Sequence, residues 1–206
     1  MSEQPFGSKI STMAEESAKE FKRMDLVERQ IDSTKVFEGR LLHVYKDNIL
    51  LPNGNRSTRE YIKHLGAVAV VAVDDKGRIA VEHQFRYPFN AELIEIPAGK
   101  LDYVGEDPLS AAERELREET GITAREFEYM GPLYPTCAYS NEVIHLYWAK
   151  GLSFGDRHLD EDESINVEMM DLKDVVKMIL EGKIQDAKTQ AAVLQVWTRM
   201  NQSVRF

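Results

Sequence analysis

The feature that most constrains this chain is the run GAVAVVAV at residues 66–73. Eight small or branched apolar residues in a row, with no polar alternation, suit a strand buried on both faces. Asp74, Asp75, Lys76 and Gly77 follow as a turn signal and predict a hairpin into a second strand over residues 78–85. Further strands are expected over 36–45, 49–51, 59–64, 92–97, 126–131, 143–148 and 165–170. A turn at Pro52, Asn53 and Gly54 separates two of them. Residues 12–32 carry scattered apolar side chains among charges and read as a short helix or arm.

Three helices are expected. The clearest spans 107–121, with Asp107 as N-cap, Pro108 at the first helical position and Gly121 as the terminating residue. Two more are predicted over 172–180 and 187–200. Strands, a helix, more strands and then helices indicate an α+β domain of α/β/α sandwich type. The 206 residues are enough for one globular domain with a substantial core. We divide them into an N-terminal arm, 1–33, and a main domain, 34–206, in which 34–65 form an N-terminal strand region and 66–206 a core.

Charge narrows function. Thirty-five Asp and Glu oppose 26 Lys and Arg, a formal net charge of −9. That balance disfavours general nucleic-acid binding. No apolar run reaches the ~18 residues of a membrane span. One cysteine, Cys137, cannot form an internal disulfide, so a cytoplasmic location is expected. Cys137 reads as a small packed thiol, and His64, His83 and His145 read as strand residues rather than metal ligands.

On the 107–121 helix, Leu109, Ala112 and Leu116 share a face expected to be core, and Glu115, Glu118 and Glu119 cluster beside it. Like charges at that spacing cost roughly 0.2–0.5 kcal/mol per pair. Arg114, four before Glu118, offsets some of this, and a divalent cation would offset more. Taken alone, a solvated acidic face is the commoner reading of such a cluster.

Gly99, Glu106, Arg114, Glu115, Leu116, Glu118, Glu119, Gly121 and Ile122 together resemble the Nudix box, G-x5-E-x7-R-E-U-x-E-E-x-G-U, where U is aliphatic. Every fixed position from Glu106 onward matches; Gly99 stands one residue too far upstream. The resemblance reaches over residues 34–200. Arg59-Glu60 with His64, Gln84-Phe85-Arg86, Glu95 to Lys100, the acidic stretch 160–163 and Asp186 to Thr189 look like the ADP-ribose pyrophosphatase branch. In that branch a proline commonly stands where this chain has Cys137; here Pro135 lies two residues earlier.

What the resemblance implies is specific. The fold would be an α/β/α sandwich around a mixed sheet, and the enzyme a homodimer exchanging N-terminal strands. Glu115, Glu119 and the main-chain carbonyl of Ala98 would hold two or three Mg²⁺ (or Mn²⁺) ions, with Glu118 as a further acidic partner. Arg59, Glu60 and Arg86 would contact substrate, and Glu161 or Glu163 would activate water. The substrate would be ADP-ribose, or another nucleotide sugar such as GDP-mannose or ADP-glucose. A nucleotide sensor on the same fold would be expected to have lost some of the box acids, which are all present here.

Overall fold

The computed structural model describes residues 25–159 and 164–201. The chain divides into two compact units, one of residues 1–33 and 47–59 and the other of residues 34–46 and 60–206. In chain order the strands are β1 (Arg29–Glu38), β2 (His43–Leu50), β3 (Arg56–Ile62), β4 (Ala67–Ala72), β5 (Arg78–Arg86), β6 (Ala91–Glu95), β7 (Ala98–Lys100), β8 (Ile122–Leu133), β9 (Ile144–Phe154) and β10 (Ile165–Asp171). The helices are α1 (Pro108–Thr120), α2 (Leu172–Leu180) and α3 (Ala187–Asn201).

At the centre of the larger unit is a mixed four-stranded sheet ordered β7-β4-β9-β8, in which β4 and β9 run parallel and the other pairs antiparallel. All six residues of β4 are buried. Alternate side chains explain why every one is apolar, because successive residues face opposite sides of a sheet. Ala67, Ala69 and Val71 join a core with α2 and α3, which includes Val175, Ile179, Val193 and Val196. Val68, Val70 and Ala72 join a second core with Ala112 and Leu116 of α1. Helices thus cover both faces of the sheet, as expected of an α/β/α sandwich.

A second sheet, ordered β10-β5-β6, is antiparallel throughout. Here the expected hairpin needs correction. The turn at 74–77 is present, with Asp74 accepting the N–H groups of Lys76 and Arg78. Beyond a single bridge at Val73 and Ile79, however, β5 leaves β4 and pairs with β10 and β6. A turn dictates a reversal of direction, but the strand partner is chosen by burial elsewhere.

Strands β1, β2 and β3 make a third sheet in that order. Arg29 to Asp32 are strand rather than helix, and the strand expected over 36–45 is two strands parted by a bend at residues 39–42. His64 lies in the loop after β3 rather than in a strand. Among the described residues, no helix is long and apolar enough to cross a membrane.

Candidate active site

Helix α1 begins and ends as its sequence dictates. Asp107 accepts the Ser110 N–H at 3.0 Å, and Gly121, at φ 73°, closes the helix in the left-handed region that glycine tolerates. Ala111, Ala112 and Leu116 are buried, whereas Leu109, expected in the core, is 38% exposed. Leu109 stands in the first turn of the helix.

The carboxylates of α1 meet the backbone of the short strand β7. Glu119 is buried, and its Oε2 accepts the Ala98 N–H at 3.0 Å. A Cβ at Gly99 would lie 2.0–2.2 Å from the carboxyl atoms of Glu115, so any larger residue here would displace that carboxylate. Pairing of Val68 with Gly99 holds β7 against β4 and fixes where the carboxylates rest.

Arg114 sits among four acids: Glu115 at 2.7 Å, Asp102 and Glu106 at 3.3 Å and Glu118 at 3.4 Å. Burial works against its charge, but Glu115, Asp102 and Glu106 outweigh this and raise its pKa above an already high value. Glu106 is itself buried and accepts the Asp102 N–H at 2.6 Å, closing the loop that contains the extra residue of the motif.

The donor set suits a hard divalent cation, because Glu115 and Glu119 offer carboxylate oxygens beside the backbone of β7, with Glu118 adjacent on the helix. Among the described residues no three acids or imidazoles already converge as a closed cage. Arg114 holds Glu115 and Glu118, while Glu119 holds Ala98. Such a site is one in which a cation would compete with a guanidinium for the acids.

A different arrangement lies where β5, β6 and the start of α3 meet. Arg86 donates from Nε and Nη2 to the two oxygens of Glu95 at 2.6 and 2.7 Å. Lys188 Nζ bonds the same buried carboxylate and stands 3.1 Å from Asp186. Asp186 accepts the N–H of Thr189 at 2.9 Å and its hydroxyl at 2.6 Å. The Thr189 oxygen in turn accepts the Ile96 N–H at 2.9 Å. Burial pushes the Glu95 pKa up, but bonds to Arg86 and Lys188 outweigh it and hold the group below the usual carboxylate range. Its bond with Glu95 raises the Arg86 pKa.

Arg86, Ala98, Gly99, Glu142 and Lys188, together with Pro135, line one cleft of about 330 Å³. It joins the cationic cluster to the backbone on which Glu115 and Glu119 rest. A hollow of about 400 Å³ elsewhere in the larger unit, lined by Tyr45, Lys63 and Val104, contains none of the α1 acids.

The remaining expected site residues fall as follows. Arg59 pairs with Glu28 inside the smaller unit, with its Nε at 2.9 Å. Glu60 stands 3.6 Å from Lys46. Glu161 and Glu163 lie outside the described residues. His83 and His145 are strand residues, His83 beside Glu92 and His145 bonded to the Tyr129 hydroxyl. Cys137 is exposed on the loop after β8 rather than packed. The sequence alone assigns Glu95 and Lys188 no role, because nothing in the chain order links residues 93 positions apart.

A family profile described as the NUDIX domain matches residues 63–193. An ADP-ribose pyrophosphatase of Bacillus subtilis (strain 168) is 41% identical over 170 residues, which is 82% of this chain and 91% of that protein. A methanol dehydrogenase activator of Bacillus methanolicus is 40% identical over 168 residues, 81% of this chain and 90% of the relative. A crystal structure of an ADP compounds hydrolase superposes with a TM-score of 0.75 at 20% identity, covering 89% of this chain and 100% of that one, and it shows the shared fold.

Proposed function

From a chain that belongs to the Nudix family, whose hydrolases generally depend on a divalent metal, we propose a pyrophosphohydrolase whose substrate is ADP-ribose. Water attacks one phosphorus, the bridging P–O bond breaks, and the products are AMP and ribose 5-phosphate. One observation carries the reading: Arg86 and the Ala98-Gly99 backbone, against which Glu119 and Glu115 rest, share a single cleft.

The residues divide the work. Arg86 has five N–H groups and gives two to Glu95, so its planar fork is held in place with donors left for phosphate. Glu115, Glu119 and the Ala98 carbonyl, with Glu118 nearby, would hold two or three Mg²⁺ (or Mn²⁺) ions. When bound, such ions neutralise phosphoryl oxygens and acidify the attacking water. Glu161, with Glu163 as its alternate, takes the proton from that water, and Arg59 and Glu60 contact the sugars or diphosphate.

Product analysis on a panel of nucleotide sugars with Mg²⁺ tests the substrate. AMP and ribose 5-phosphate are expected, and a clear preference for nucleoside triphosphates would overturn the reading. Replacing Glu161 by Gln lowers kcat by about 10²–10⁴ with substrate affinity nearly unchanged. If Glu161→Gln and Glu163→Gln both stay within a few-fold of wild type, the base lies elsewhere. Another nucleotide sugar, such as GDP-mannose or ADP-glucose, is the second reading. It is favoured by the loop after β8, which brings Pro135 rather than residue 137 to the cleft.

The working unit is a homodimer. All ten residues of β1 are exposed, Ile31, Val36 and Phe37 among them, and strand exchange would cover this apolar surface. Sedimentation at micromolar concentration should give twice the chain mass; a monomer would refute it. A reducing, cytoplasmic setting accords with the single, exposed cysteine.

A further inference from the structure

We propose that Lys188 is a second cation for the substrate's diphosphate, held beside Arg86 by the buried carboxylate of Glu95, which positions both. This rests on the diphosphate reading of the cleft and adds residues to it.

The placement of charge is the main argument. Arg86 and Lys188 both line the cleft, whereas the carboxylate they share does not. Glu95 is buried behind them, so the cluster presents its cations to the cleft and keeps one of its anions behind. Asp186 also lines the cleft and is the second counter-charge on Lys188, with Oδ1 3.1 Å away. Its Oδ2 is occupied by the N–H and hydroxyl of Thr189. A single guanidinium already satisfies Glu95 in a two-point bond, so a second cation exceeds what that carboxylate needs to be buried.

A purely structural role for Lys188, pinning α3 to β6, is already filled by another contact. The Ile96 N–H, the Thr189 hydroxyl and Asp186 form that pin through hydrogen bonds that do not involve the lysine. Lys188 has three N–H donors, of which Glu95 and Asp186 engage two, leaving one for a phosphoryl oxygen. Two cations on one buried anchor suit a ligand with two adjacent phosphates, and they do so without reading the base or the sugar.

Inorganic pyrophosphate is the probe, because it carries the diphosphate and nothing else. It is titrated calorimetrically into the full-length protein in EDTA, alongside melting temperatures and, with Mg²⁺, the KM and kcat of the substrate. Lys188→Gln should weaken pyrophosphate binding and raise KM by about tenfold or more, the scale of one hydrogen bond between charged groups. Lys188→Arg should restore most of this. Arg86 still satisfies Glu95 in Lys188→Gln, and the double variant Glu95→Gln/Lys188→Gln controls for any stability lost with the Lys188–Glu95 pair. It should melt near wild type and still bind pyrophosphate weakly.

Wild-type affinity in Lys188→Gln would overturn the proposal. So would a loss that follows the melting temperature and disappears in the double variant, or a wild-type protein that does not bind pyrophosphate. If the wild type binds pyrophosphate but does not cleave ADP-ribose, the proposed substrate fails while the variants still decide the role of Lys188.

Discussion

On α1, three carboxylates lie along one edge and a single arginine pairs with two of them; where β5 and β6 meet α3, two cations share one buried carboxylate. The first cluster has anions in excess and rests against the backbone of residues 98–99. The second contains matched charges, sorted so that both cations reach the cleft. An excess of acid is suited to receiving a cation. A sorted, neutral cluster is suited to holding cations still. The comparison teaches that net charge is a poor guide to a site: a chain with a formal charge of −9 can still present fixed positive groups to a phosphate ligand.

The acidic side should carry the larger effects. Glu115→Gln or Glu119→Gln should lower kcat on the order of 10²–10³, the scale of removing part of a metal's charge stabilisation. The fold should survive, because glutamine at 119 still offers an oxygen to the Ala98 N–H and glutamine at 115 still offers one to Arg114. Rates measured across a Mg²⁺ titration check this, and unchanged rates at limiting metal would erase the contrast between the two clusters.

Gly99→Ala should come next. Its Cβ would stand within 2.0–2.2 Å of the Glu115 carboxyl, so the side chain or β7 must shift. We expect activity to fall at least about tenfold with little loss of stability, because the Cβ meets only the mobile end of the Glu115 side chain. Denaturation and kinetics on one preparation separate the two.

The smallest expected effect belongs to the cationic cluster. Glu95 has a depressed folded pKa, so it favours the folded state above the ordinary carboxylate value and loses that contribution as pH falls through the depressed one. Wild type should therefore lose melting temperature more steeply than Glu95→Gln as pH drops below about 4. Parallel curves would show that the ion pairs do not contribute to folding.

How much of this the sequence could reveal depended on whether the signal was local. The ends of α1, the span of α2 and the two-sided burial of β4 follow from neighbouring residues, and all three stand as expected. The three-residue strand β7 is too short to show a period, yet it is the element that meets the acids. Strand β1 has an exposed side chain at every position, so no alternation marked it. The Nudix motif identified Glu115, Glu118 and Glu119 because it records spacing along one helix. The bonds of Glu95 with Arg86 and Lys188 join three elements, and only the folded chain brings them together.

The loop from Asp102 to Glu106 shows how this scaffold tolerates change. Its extra residue is closed off by the bond from the Asp102 N–H to Glu106, and Arg114 clasps both residues from the helix. A change of length inside that clasp is therefore expected to leave α1 and its acids in place. For a protein engineer, Tyr103 and Val104, both well exposed, therefore mark a place to graft a short peptide next to the site while leaving its register intact.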